Sequence, residues 1–366
     1  MLKPLPDYPW DQMVPFAARA RAHEGGIVDL SIGSPVDATP DVIRQALAGA
    51  TDAHSYPQTA GTPELQRAII AWYERRRGVT GLAEKNVLPT IGSKELVALL
   101  PFMLGLGEGD TVVHPRAAYP TYAIGAAMAG ASALASDDPA EWPATTKLIW
   151  LNSPGNPDGR VLGVPELTAA VARAREIDAV IVSDECYAEL GWDAPWATER
   201  IPSILDPRVI GDNRHNVLAI YSLSKQSNMA GYRGAFVAGC GGVLARLLTV
   251  RKHAGLMLPA PLQAAMAAAL ADDAHVAVQR ERYRARRAVL LPALRDAGFR
   301  IDHSEAGLYL WATEGVDAWE SIGRLADLGI LAGPGPFYGD FYPRHVRFSL
   351  TATDERIAAA ADRLRS

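Results

Sequence analysis

Apolar runs of strand length recur through the middle of the chain, at residues 86–91, 111–114, 132–135, 147–151, 179–183, 217–221 and 235–239. Before and between them the apolar positions take helical spacing, as at Leu65, Ile69, Trp72 and Tyr73, and over residues 95–106 and 165–176. The helix beginning near Thr62 has Pro63 in its first turn and Glu64 beside it, a good start signal. Residues 147–151 and 217–221 are nearly continuous apolar runs, as in parallel strands covered on both faces. This alternation predicts an α/β fold with a mostly parallel sheet flanked by helices.

After Ala260 the pattern changes. Residues 261–270 and 272–297 read as helices, followed by a small α/β unit. Its strands fall at 299–301, 308–312, 330–332 and 345–350, with a helix at 318–328. At the other end, the first dozen residues are rich in proline and aromatics and exclude a regular helix. They read as an extended arm lying on another surface, followed by a helix at 13–22 and a strand at 27–32. The expected organisation is an arm (1–12), a large domain (41–262) and a smaller α/β domain built from 263–366 with 13–40.

Composition narrows the partners. The 366 residues are 49% hydrophobic and 21% charged, which excludes wholesale disorder. Net charge is −5, and the densest basic stretch, residues 280–287, alternates with apolar and acidic positions. No nucleic-acid partner is expected, only small molecules. Cys186 and Cys240 give no disulfide framework and fit a reducing cytosol. No apolar run is long enough to span a membrane and the N-terminus lacks a signal core, so a cytoplasmic location is expected.

The candidate chemistry sits in the loops. Residues 222–234 run from the end of one apolar strand to the start of another and contain Ser222, Ser224, Lys225 and Arg233. A lysine where a core strand ends is partly desolvated, which favours the neutral amine that attacks carbonyls. Hydroxyls with a guanidinium suit a phosphate dianion. Taken alone, a surface lysine with Arg233 in an ordinary ion pair is the commoner reading of so short a motif.

Other loops offer more. Gly92-Ser93-Lys94 turns a strand into a helix, leaving backbone N–H groups at a dipole end suited to phosphate. Asp184 lies where a strand runs out, and a carboxylate there needs a cationic partner or a local cap. Tyr119 and Asn156 follow strand ends, Tyr56 sits in a polar loop, and Gly33 is either a turn glycine or a point of close ligand approach. Arg347, inside a short apolar strand, needs an anion. These groups cluster at strand C-termini and at the helix starts that follow, where open α/β sheets bind ligands.

Together the residues resemble the class I/II aminotransferases, of the fold-type I pyridoxal-phosphate enzymes, with motifs in the family's order along essentially the whole chain. The resemblance implies that pyridoxal 5′-phosphate is carried by Lys225, within an S-x-S-K segment. It gives the phosphate to Ser222, Arg233, Ser93 and Lys94, the pyridine nitrogen to Asp184, and the ring hydroxyl to Tyr187 of D-E-x-Y. It places Tyr119 over the ring and Asn156 of N-P-x-G beside it, with Arg347 gripping the substrate α-carboxylate near Gly33. Tyr56 matches a tyrosine that reaches the neighbouring subunit's phosphate, implying a homodimer with shared sites and no metal.

Two departures stand out: Asp158 where threonine is usual, and Lys225-Gln226-Ser227-Asn228 where an aromatic is commoner. The Lys225 segment most resembles that of the actinobacterial N-succinyldiaminopimelate aminotransferases of lysine biosynthesis, as do the compact length and residues 6–10. That resemblance implies ping-pong transfer between N-succinyl-LL-2,6-diaminopimelate and 2-oxoglutarate or glutamate. Lys94, Arg116 and Arg160 are unranked candidates for a distal carboxylate. An aminotransferase of aspartate- or alanine-like specificity and a C–S β-lyase use the same cofactor residues. A non-catalytic relic of the fold would have lost Lys225, Asp184 or Arg233, and all three are present.

Overall fold

The computed structural model describes Leu5 and residues 9–366. Most of the expected arm, residues 1–4 and 6–8, lies outside them. Where the described chain resumes, Pro9–Met13 is a 3₁₀ turn, and Trp10 packs 5.1 Å from the ring of Phe337 in the same chain.

The chain continues through α1 (Val14–Arg21), β1 (Val28–Asp29), α2 (Asp41–Gly49) and α3 (Pro63–Trp72). The Thr62 hydroxyl accepts a hydrogen bond from the Leu65 N–H, so α3 starts where the sequence signals it. Next come β2 (Val87–Ile91), α4 (Ser93–Met103), β3 (Thr111–His114), α5 (Thr121–Ala129), β4 (Ser132–Ala135) and β5 (Thr146–Asn152). Then α6 (Val164–Glu176), β6 (Val180–Asp184), α7 (Pro207–Ile210), β7 (Val217–Ser222), α8 (Leu223–Gln226) and β8 (Gly234–Gly239) follow. Three helices, α9 (Gly241–Ala254), α10 (Ala260–Ala271) and α11 (Ala274–Asp296), lead to β9 (Arg300–Ile301) and β10 (Tyr309–Thr313). The chain ends with α12 (Ala318–Asp327), β11 (Ile330–Leu331), β12 (Gly333–Pro334), β13 (His345–Ser349) and α13 (Asp354–Arg365).

Seven strands form the main sheet in the order β2-β8-β7-β6-β5-β3-β4. All neighbours are parallel except β8, which is antiparallel to both β2 and β7. The short connection after β7 has no room for a crossover helix, so β8 returns antiparallel. Alternate residues of each strand serve opposite faces. Leu148, Trp150, Val182, Leu218 and Ile220 pack with α4, α5 and α9, while Ile149, Leu151, Ile181, Ala219 and Tyr221 meet α3, α6 and α10. Burying side chains such as Leu218 and Ile220 contributes about 1.5–3 kcal/mol each.

A second core joins α1 and β1 to the C-terminal elements through Val28, Leu30, Tyr283, Leu310, Ile322, Val346 and Ile357. β1 pairs with β11, and β12-β13-β10-β9 form a separate sheet. The expected domain boundary at 262/263 falls inside α10, a helix continuous to Ala271 that packs on α2 and α3. The strand expected over 27–32 shortens to Val28–Asp29, paired with Ile330 and Leu331; beyond it the Leu30 N–H still bonds the Leu331 carbonyl, and its own carbonyl accepts from the Ser349 N–H.

Candidate active site

The C-terminal ends of β5, β6 and β7 lie side by side, with Asn152 opposite Asp184 and Asp184 opposite Ile220. Over this edge opens a cleft of about 1040 Å³, lined by Gly33, Ser93, Lys94, Tyr119, Asn156, Asp184, Tyr187, Ser222, Lys225, Arg233 and Arg347. The fold thus gathers eleven of the residues expected from sequence. Tyr56 is the exception: it is 93% exposed and is not among the described residues lining this cleft.

Lys225 belongs to α8, whose start is capped by the Ser222 hydroxyl accepting from the Ser224 N–H at 3.2 Å. Burial draws the Lys225 amine below its ordinary pKa, with the Arg347 and Arg233 charges acting the same way against the Tyr309 hydroxyl. The amine donates to the Gly33 carbonyl. Gly33 is buried against Tyr309, whose Cζ would lie 2.8 Å from an added Cβ, so this approach requires glycine.

Asp184 accepts from the Tyr122 hydroxyl at 3.0 Å and from the Cys186 N–H at 3.2 Å. Burial pushes its carboxyl up, while the Cys186 and Tyr122 donors act to hold it down. It has no ion-pair partner among the described residues. On the opposite wall, Arg347 of β13 donates to Asn156 Oδ1 at 2.8 Å and to the Ser31 carbonyl at 2.6 Å. Its guanidinium lies 3.9 Å from the Tyr309 ring centroid and 4.7 Å from that of Tyr338. Asn156 is placed by Asn152, whose Oδ1 accepts the Asn156 N–H at 2.8 Å.

Ser93 and Lys94 open α4 after Gly92, which has φ +74°. Among the described residues no side chain caps that start, so its first N–H groups remain available. The Arg233 side chain lies across Gly92, with Cζ 2.9 Å from where a Cβ would stand. Lys94 Nζ is 5.9 Å from the Tyr119 ring centroid. Cations, a bare helix start, an unpaired buried carboxylate and a desolvated amine thus face one space.

The family model described as aminotransferase class I and II matches residues 26–364. This chain is a class I and II aminotransferase. It is 55% identical over 364 residues to the 4-dedimethylamino-4-oxo-anhydrotetracycline transaminase OxyQ of Streptomyces rimosus, covering 99% of this chain and 100% of that one. It is 54% identical to the probable aminotransferase Rv1178 of Mycobacterium tuberculosis, over 98% of this chain and 85% of that one. The solved N-succinyldiaminopimelate aminotransferase of Mycobacterium tuberculosis superposes with TM-score 0.86 at 27% identity, covering 97% and 96% of the two chains.

The aminotransferase belongs to a pyridoxal-phosphate-dependent, fold-type I family, and its cleft suits that cofactor. A phosphate has Arg233, Lys94 and the bare start of α4 to meet it, and a pyridinium supplies the cation that buried Asp184 lacks. Sequence reasoning did not place Tyr122, Tyr309 or Tyr338 in the site. Tyr122 reads in the sequence as the end of a turn-rich stretch but belongs to the first turn of α5, and Tyr309 resembles any core aromatic of a strand. Tyr187 and Tyr309 lie hydroxyl to hydroxyl at 3.2 Å. Burial raises both phenols, but Arg347 and Lys225 outweigh it at Tyr309, whose net shift is downward, whereas Tyr187 is pushed well up.

Proposed function

We propose that the aminotransferase binds pyridoxal phosphate through Lys225 and exchanges an amino group between an α-amino acid and a 2-oxo acid in a ping-pong cycle. The carrying observation is the placement of a desolvated Lys225 amine and an unpaired buried Asp184 in one cleft, opposite Arg347. When bound, pyridoxal phosphate supplies an electron sink that lowers the barrier to breaking a bond at the substrate Cα. Asp184 would keep a proton on the ring nitrogen, and Tyr122 with Cys186 holds Asp184 in place. Ser93, Lys94, Ser222 and Arg233 would hold the phosphate, with Tyr119 for the ring and Tyr187 for its hydroxyl. Arg347, oriented by Asn156 and the two tyrosine rings, fixes the substrate carboxylate, with Gly33 leaving room beside it. Lys225, its amine set free when the substrate amine takes its place, would move the proton from the substrate Cα to C4′ of the cofactor, one base serving both positions.

For the substrate, the Lys225 loop supports N-succinyl-LL-2,6-diaminopimelate with 2-oxoglutarate. Of the candidate cations for its distal end, Arg116 pairs with Glu141 at 3.1 Å and Arg160 with Glu166 at 2.6 Å. Lys94 is the candidate that lines the cleft. A second reading, a bulky and weakly charged oxo substrate, is favoured by the apolar outer wall of Trp10, Ile32, Met128 and Phe337 and by the likeness to OxyQ. The deciding experiment follows the visible band of the loaded protein. Glutamate should bleach it in wild type and not in Lys225→Ala, and N-succinyl-LL-2,6-diaminopimelate should then bleach it too. Indifference to that compound, with glutamate-dependent amination of a polycyclic ketone, transfers the reading. Pyruvate release from a cysteine-type substrate without an acceptor would make it a β-lyase.

We also propose a homodimer with shared sites, a smaller domain formed by residues 13–40 with the chain after α10, and a cytoplasmic setting. Supporting these are the exposure of Tyr56, the second core and the two free thiols.

A further inference from the structure

The Lys225 loop departs from the commoner aromatic pattern at Ser227, and the structure puts His275 of α11 beside it. His275 Nε2 lies 2.8 Å from Ser227 Oγ, and its Nδ1 lies 3.0 Å from Asp272 Oδ2. This has the order of a hydrolytic triad, but Ser227 is fully buried and no substrate can reach it. The arrangement holds a loop instead.

Further contacts continue along one stripe of α11, at helical spacing. Gln279 accepts from Asn228 Nδ2 at 2.9 Å and donates to Asp37 at 2.8 Å. The Tyr283 hydroxyl donates to the Lys225 carbonyl at 3.3 Å. Arg286 grips both oxygens of Asp37, at 2.7 and 2.8 Å. Asn228 adopts φ +51°, and the Thr39 hydroxyl donates to its carbonyl at 2.8 Å.

These contacts close a ring. The Lys225 amine bonds Gly33; four residues on, Asp37 bonds Gln279; Gln279 bonds Asn228, three residues beyond Lys225. The same segment carries Ser31, whose carbonyl is bonded by Arg347. We infer that Gln279 is a positioning residue that couples the carboxylate-binding segment 31–37 to the Lys225 loop, so that a carboxylate at Arg347 sets the lysine's placement. This rests on the reading of Arg347 given above. Gln279 suits the part because it is buried, uncharged, and able to accept on one side while donating on the other.

Hydrogen–deuterium exchange of the cofactor-free protein, with and without succinate as the carboxylate probe, tests the coupling. Wild type should gain protection in residues 31–37 and 223–229 together. Gln279→Met should gain it in 31–37 alone, and Gln279→Glu, which keeps the acceptor for Asn228 but sets a carboxylate against Asp37, should also fail to pass protection on to 223–229. In the loaded protein, single turnover with glutamate should slow at saturation by at least about tenfold in Gln279→Met, with its apparent affinity changed less than about threefold. Protection of 31–37 alone in wild type would overturn the coupling and leave the carboxylate site standing. Protection of neither segment removes Arg347 as the carboxylate site and this inference with it. Joint protection persisting in both variants would also overturn the role of Gln279.

Discussion

Asp184 is the residue whose surroundings make least sense without a ligand. A buried carboxylate with two hydrogen-bond donors but no cation is costly, and the cost is recovered only when a cation arrives. Its pKa is raised, so between the usual carboxylate value and its own the folded cofactor-free protein retains a proton that the unfolded chain has lost. Stability therefore falls as pH rises through that window. Asp184→Asn removes the dependence: the cofactor-free variant should melt higher than wild type near neutral pH. In the loaded enzyme the same change should lower kcat/KM with glutamate by about 10²–10⁴-fold. Arg347→Lys keeps the charge but loses the fork that spans Asn156 and Ser31. It should raise KM for glutamate about 10- to 100-fold in steady-state kinetics while the visible band persists, as loss of a charge-assisted hydrogen bond of about 1.5–3 kcal/mol implies. The gathering of Lys225, Asp184 and Arg347 in one cleft was legible from several polar groups falling together at strand ends, and not from any one of them, since each alone had an ordinary explanation. Tyr309 and Gln279 were not, since an aromatic in a strand and a glutamine in a charged helix are ordinary until the folded neighbours appear.

At the scale of elements, the strands of the main sheet were readable to within a residue or two, because strands buried on both faces leave continuous apolar runs. Direction was less readable: nothing local to 234–239 tells that β8 runs against its neighbours, which depends on the short path from β7. The extent of α10 was readable, expected over 261–270 and found over Ala260–Ala271, but its place in the main core was not. The start of α4 carries a prediction. Gly92 holds a backbone conformation open to glycine alone, with Arg233 laid across it. Gly92→Ala should cost about 1–3 kcal/mol of local strain and displace Arg233. Titration with pyridoxal phosphate should show at least about tenfold weaker binding, with a smaller loss in melting temperature.

At the scale of the molecule, Tyr56 stands 93% exposed and outside its own cleft, the placement that the proposed shared-site dimer expects. If sites are shared, Tyr56→Phe and Lys225→Ala protomers refolded together contain one intact site in each mixed dimer. Activity should then return to roughly a quarter of wild type on random assortment, from two preparations that are each defective. Absence of recovery, with mixed dimers confirmed by native mass spectrometry, would place Tyr56 outside the site.

The pairing of Val28 with Ile330 has a consequence for how the protein is made. A chain leaving the ribosome at about 5–20 residues per second exposes Ala17, Val28 and Leu30 roughly 15–60 s before their strand partner exists. The main sheet can assemble in that interval, since its last strand ends at Gly239. The N-terminal segment must wait, tethered to a finished neighbour, with its greasy side open to any nascent chain nearby. Until Ile330 is made, that side of the segment has nothing of its own chain's C-terminal core to cover it.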